Sequence, residues 1–135
     1  MSDAGPLFHM IAGGPRPVAP FSHAVEDGGW VFLTGQMPTD PDAPDASLPD
    51  GIAAQTERVL ANLALVLAGI GLGLEHVRMC RCYLVEFERD YAGFNDVYEM
   101  HFPPDRRPAR TTIGVTALAV GALVEIDMIA RRSDG

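Results

Sequence analysis

Two side chains in the C-terminal third have the chemistry of a site for a small acid. Arg110 stands in "RRPARTTIGV" (106–115), where the chain enters a segment that reads as a β-strand, and Glu125 lies in the next apolar run, "ALVEIDMIARR" (122–132). A planar guanidinium grips a carboxylate through two parallel hydrogen bonds, which suits Arg110 to anchor an acidic small molecule. Glu125, if partly buried, has the chemistry of a general base or of a group that orients a water. The strands that carry them are read as neighbours, so the cation and the anion are expected to converge near one buried edge. The same residues also fit a structural ion pair or a solvated arginine and glutamate. Thr34, before Gly35, offers a hydroxyl and Asn95 an amide, although these types equally describe a packed strand threonine and an exposed helix asparagine. Ser22 and His23 have no acid partner at a readable spacing, and His23 and His101 stand alone, so a nucleophilic triad has no support.

The elements that must position these groups follow from pattern. "LFHMIA" (7–12) and "GWVFLTGQMP" (29–38) read as strands, the second stopped by Gly35 and Pro38, and "TDPDAPDASLPDG" (39–51) is a solvated loop. A helix capped by Asp50 runs to about Ala68, because Ile52, Thr56, Val59, Leu60, Leu63 and Leu67 recur at helical spacing while Gln55, Glu57, Arg58 and Asn62 take the other directions. "HVRMCRCYLVEF" (76–87) is a strand. "RDYAGFNDVYEMHF" (89–102) is a second helix stopped by Pro103 and Pro104, and strands at 109–115 and 122–132 follow. Glycines 28, 29 and 35 suit turns and close backbone approach, and no phosphate-loop pattern accompanies them.

This order predicts an α+β fold in a single domain spanning residues 1–135, a mixed sheet of five to six strands with two helices on one face. Two helices cover one face only. In the last strand Val124, Ile126 and Met128 point one way while Leu123, Glu125, Asp127 and Ile129 point the other, so the second face asks for a cover from other copies of the chain.

The totals exclude several classes of function. The formal charge is −8 and no basic tract with interleaved aromatics occurs, which counts against a nucleic-acid partner. The most apolar stretch is interrupted by Asn62 and three glycines, so no membrane span is expected, and the start, "MSDAGPLFHM", has no secretory pattern, so the expected location is cytoplasmic. Cys80 and Cys82, two apart on a strand, read as free, half-buried thiols, and with His76 alone beside them no metal site is expected.

Taken together, "APFSHAV", "VFLTGQMP", "AAQTERVLANLALVLAGIGLGLEHV", "FNDVYEMHF", "RPART" and "LVEIDMIA" resemble the RidA/YjgF family of imine and enamine deaminases, in order from about residue 18 to 131. The resemblance implies a chorismate-mutase-like fold, a homotrimer around a central barrel with clefts at the subunit interfaces, and hydrolysis of reactive 2-imino or 2-enamino acids, released by pyridoxal-phosphate enzymes, to 2-keto acids and ammonia. It implies no cofactor or metal. Carried over by position, Arg110 matches the arginine that binds the substrate carboxylate and Glu125 the glutamate that orients the water. Thr34 and Asn95 match cleft residues, and Thr112 sits where main-chain groups meet the imine, at a position many members fill with cysteine. Phe21 stands where many members have a tyrosine whose hydroxyl contacts substrate, and Gly114 at a commonly acidic position. A non-catalytic trimer that binds small carboxylates and regulates a partner would use Arg110 equally well.

Overall fold

The computed structural model describes residues 5–133. Six strands form one continuous sheet: β1 (Leu7–His9), β2 (Ala24–Asp27), β3 (Trp30–Gln36), β4 (Val77–Leu84), β5 (Ala109–Gly114) and β6 (Val124–Arg131), in the order β1-β2-β3-β6-β4-β5. All pairs are antiparallel except β4 with β5. Two helices, α1 (Gly51–Gly69) and α2 (Phe87–Tyr98), pack on one face, and α2 is the crossover that a parallel β4–β5 pair requires. The fold is therefore α+β with a mixed sheet.

Strand β2 escapes the pattern reading because four residues are too few to show alternation. It is fixed by the turn that follows it: Asp27 pairs with Trp30 across Gly28 and Gly29, whose φ values of 60° and 86° form the two-residue hairpin loop that matches strand twist. Helix α2 starts two residues earlier than the periodicity suggests, and its last turn tightens into a 3₁₀ turn at Glu99–His101 before the two prolines.

The core is the space between helices and sheet, filled by Val59, Leu60, Leu63 and Leu67 of α1, Phe94 and Tyr98 of α2, and Val31, Leu33, Val124, Ile126 and Met128 of the sheet. Gln55 and Asn62, read from the sequence as lying off the apolar stripe, are buried instead. Gln55 donates to the Pro49 carbonyl and accepts from the Leu123 amide, while Asn62 donates to the carbonyls of Met37 and Thr39. These amides satisfy loop backbone that would otherwise be buried without partners. Asp50 occupies the N-cap of α1 but its side chain makes no capping bond. Cys80 and Cys82 are free, as expected, but fully rather than half buried, and burial pushes their pKa values up to about 11 and about 12, so both are neutral thiols at physiological pH.

The other face of the sheet carries no helix. A row of side chains crosses it through successive cross-strand partners, Phe8, Val25, Phe32, Ile129 and Met79, and Phe8 and Phe32 are 67% and 48% exposed. No helix of the described residues is long and apolar enough to cross a membrane.

At the sheet's opposite margin from β5, Glu26 gathers three elements. It accepts both arms of the Arg132 guanidinium (2.6 and 3.0 Å) and faces His9 on β1, while Arg132 also donates to the Ile70 carbonyl at the end of α1. The Arg132 hydrogen bonds hold the Glu26 pKa below its ordinary value against the opposing effect of burial. A lowered folded-state pKa stabilises the fold above the ordinary carboxylate range, and that contribution is lost as pH falls through the folded value. Arg132→Gln should therefore cost about 1.5–3 kcal/mol at pH 7 in urea unfolding, and the difference from wild type should shrink as pH falls below the ordinary carboxylate range.

Candidate active site

The register of the sheet decides where the two candidate residues go. Arg110 on β5 pairs with Cys80 of β4, which pairs with Met128 of β6, so Arg110 is on the core face. Glu125 pairs with Tyr83, three residues along β4 and hence on the other face. Strand β4 also separates β5 from β6, so the two strands read as neighbours are not adjacent. Within one chain Arg110 and Glu125 lie on opposite sides of the sheet, and the expected convergence at one edge does not occur.

Each lies in its own half-site. Arg110 emerges at the edge strand, where its guanidinium carbon lies 5.8, 5.4 and 4.8 Å from the ring centroids of Tyr91, Phe94 and Tyr98 on α2. The negative ring faces attract the cation. Its in-plane N–H groups stay almost uncommitted: one donates to the Tyr91 hydroxyl at 3.2 Å, and no carboxylate pairs with it among the described residues. A cavity of about 350 Å³ opens here, lined by Asn95, Tyr98, Glu99, Arg107, Pro108 and Arg110.

Among the buried polar atoms near Arg110, Asn95 Oδ1 has no hydrogen-bond partner, and the hydroxyls of Tyr98 and Thr112 have only the weakly bonding thiols of Cys80 and Cys82 beside them. Thr112 shares the core face with Arg110, opposite Cys82. Tyr98 lies against the Cys80 thiol, and burial raises its pKa well above that of an exposed phenol, so it is neutral. Unpartnered buried polar groups are uncommon in folded proteins and concentrate where a ligand or water completes them. Tyr98, Tyr91 and Phe94 were legible only as an apolar helical stripe, because the 91, 94, 98 spacing of core aromatics and of a cation cradle is the same.

The second half-site lies on the uncovered face. Between Leu33 and Gln36 the β3–β6 register slips by one residue, placing Thr34 and Gly35 in a bulge. The carboxylate of Glu125 occupies the space that a Cβ on Gly35 would fill, which is the close approach that the glycine permits. Burial, and secondarily the charge of Asp127, raise the Glu125 pKa. Asp127 is itself held by Arg81 Nε (2.8 Å) and the Tyr83 hydroxyl (2.9 Å). The Thr34 hydroxyl donates to the Ser22 carbonyl at 2.6 Å, fixing the loop on which half-buried Phe21 lies. His23 is buried beside it: its Nδ1 accepts from the Ile11 amide and its Nε2 meets the Pro15 carbonyl, so it pins the N-terminal segment. The structure thus brings Arg110 and Asn95 to one cavity, with Thr112 on the same sheet face, and sets Glu125 on the other face against Gly35, the neighbour of Thr34. No cluster of metal-ligating side chains occurs among the described residues.

The profile of the family described as Endoribonuclease L-PSP matches residues 12–132. The protein DfrA of Myxococcus xanthus is 42% identical over 118 residues, 86% of this chain and 88% of that one. Among solved structures, a Rid-family protein of unknown function, YyfA from Yersinia pestis, superposes with a TM-score of 0.87 at 31% identity, covering 94% of this chain and 99% of that one. RidA from the Antarctic bacterium Psychrobacter sp. PAMC 21119 does so with 0.83 at 30%, covering 91% and 98%.

The contact at Gly35 is testable. Gly35→Ala should leave the fold intact and displace the Glu125 carboxylate, lowering any turnover by about tenfold to a hundredfold, the range for a misplaced reacting group. Steady-state rates beside a thermal melt separate this from unfolding.

Proposed function

This chain belongs to the Endoribonuclease L-PSP (YjgF/Rid) family, and from that premise we propose that it is a deaminase that hydrolyses reactive 2-imino and 2-enamino acids to 2-keto acids and ammonia, without a metal or cofactor. The observation that carries this reading is Arg110: a guanidinium beside three aromatic rings, paired with no carboxylate among the described residues, in one cavity with the unpartnered buried Oδ1 of Asn95. That is a receptor for a carboxylate with further polar groups near it.

The working assembly is a homotrimer in which the helix-side half-site of one subunit meets the sheet-face half-site of the next. Two observations support it: Arg110 and Glu125 lie on opposite faces of one sheet, and an apolar row crosses the face that no helix covers. A continuous apolar strip of this kind is the ordinary mark of an interface.

In the assembled cleft Arg110 fixes the substrate carboxylate and places the imine carbon beside a water held by Glu125 of the adjoining subunit. This converts a bimolecular attack into an oriented one. The water oxygen bonds to C2 while its proton passes by way of Glu125 to nitrogen. The carbinolamine then collapses: its hydroxyl proton passes by way of the same carboxylate to nitrogen, the C2–N bond breaks as C2=O forms, and ammonia leaves. A carboxyl with a raised pKa is better matched to receive and return that proton than an ordinary one. Asn95 and Thr112 complete the polar lining. Phe21 contributes no hydroxyl, which leaves that wall apolar. Small imines already hydrolyse in water, so positioning and one proton relay suffice.

The family description also names an RNA-cleaving activity. The net charge of −8 opposes a polyphosphate ligand. A binding-only role in regulation would keep Arg110 and have no need of Glu125.

Ammonia and keto-acid release from 2-iminopropanoate and 2-iminobutanoate generated in situ tests the reading. Arg110→Ala should lower kcat/KM by at least about a hundredfold, and Glu125→Gln should lower kcat by about 10²–10⁴ while keto-acid binding survives. Keto-acid binding by wild type that Arg110→Ala abolishes, with no turnover by wild type, would favour the regulatory role. On the acid side, kcat/KM should fall as pH drops through a value above 4.5, and Asp127→Asn should move that limb lower only in part, because burial is the larger cause. Phe32→Glu should sediment as a monomer and be inactive with Arg110 and Glu125 both in place.

A further inference from the structure

The allocation of positive charge on this chain is uneven. All ten basic residues are arginines. Arg16, Arg58, Arg81, Arg89 and Arg132 pair with carboxylates at 2.6 to 3.9 Å, and Arg131 stacks on Trp30 and donates to the Gly28 carbonyl. The remaining four, Arg78, Arg106, Arg107 and Arg110, form no ion pair among the described residues, and all four line two adjoining cavities. One is the cavity of about 350 Å³ that holds Arg110; the other, of about 410 Å³, is lined by Glu75, Val77, Arg78, Asp105, Arg106, Arg107 and Pro108. Arg107 and Pro108 belong to both, so Arg107 stands at their junction.

Each lining carries one more positive than negative side chain, Glu99 being the acid of the first and Glu75 and Asp105 those of the second. This local excess sits in a chain of charge −8. Arg107 donates only a long hydrogen bond, Nε to the Phe102 carbonyl at 3.4 Å, which leaves the terminal N–H groups of its fork open. Pro108 follows Arg107 and immediately precedes β5; it locks its own φ and restricts Arg107 to extended backbone, which limits where Arg107 can stand relative to Arg110.

We propose that Arg107 is a second anion-binding residue of the site, so that its substrates are 2-imino acids bearing a distal carboxylate besides the one held by Arg110. The inference rests on the deaminase reading for its chemistry. The step is the same: C2–O forms, C2–N breaks, ammonia leaves and no electron is transferred. What changes is recognition. A distal carboxylate entering this cavity finds a fork donor of matching geometry, whereas a monocarboxylate leaves Arg107 without a partner.

Calorimetric titration of the products separates the two ideas. Wild type should bind 2-oxoglutarate at least about tenfold more tightly than 2-oxobutanoate, Arg107→Ala should abolish that preference, and Arg107→Lys should restore part of it. Equal affinities in wild type, or equal weakening of both ligands by Arg107→Ala, would overturn the proposal. Tighter binding of 3-phosphohydroxypyruvate than of 2-oxoglutarate would overturn the carboxylate assignment in favour of a phosphate. Imine hydrolysis is read in parallel. Turnover of 2-iminobutanoate without faster turnover of 2-iminoglutarate would sink the distal-carboxylate substrate class alone, and turnover of neither, with the binding preference intact, would sink the deaminase reading and leave Arg107 as an anion site.

Discussion

A side chain on a β-strand can face only one of two sides, and this parity governs the whole site. Arg110 shares the face of Cys80 and Met128, Glu125 that of Tyr83, and β4 lies between their strands. No rotamer change within one chain can bring the guanidinium and the carboxylate to one ligand, because the sheet stands in the way. The uncovered face, the bulge at Thr34–Gly35 and the open edge of β5 acquire a common meaning from that fact. Each half-site is complete as a fragment, and the proposed function joins fragments from different copies.

The two fragments are held by different physics. At β5, the aromatic rings of α2 surround the Arg110 guanidinium, which restrains a long side chain without committing it to a carboxylate. At β6, a missing Cβ at Gly35 makes room for a carboxylate that burial and Asp127 push toward its neutral form. A cation kept solvated would bind a carboxylate weakly, and a fully exposed glutamate would be a poor proton carrier at neutral pH. The buried thiols beneath Arg110 add no reactivity, since both are held neutral.

Much of the framework was legible in the residues. The period of α1, the two prolines that stop α2, the alternation of β6 and the glycine pair at 28 and 29 each name an element through local stereochemistry alone. The same local rules misled where a residue answers to a distant partner. Gln55 and Asn62 lie off the apolar stripe yet are buried, because the amides they satisfy belong to loops 6 to 68 residues away. Strand β2 was missed because its existence depends on pairing with β1 and β3 rather than on any alternation of its own.

The sequence by itself determined the fold class, the absence of a long apolar span, the chemistry available at Arg110 and Glu125, and the apolar character of the second sheet face. All of these follow from residue type and short-range period. Only the tertiary structure decided that the two residues part company across the sheet, that an apolar-looking helical stripe is a cation cradle, and that Arg107 shares a cavity with Arg110. Those depend on strand order and register, which long-range pairing sets and which no local pattern encodes.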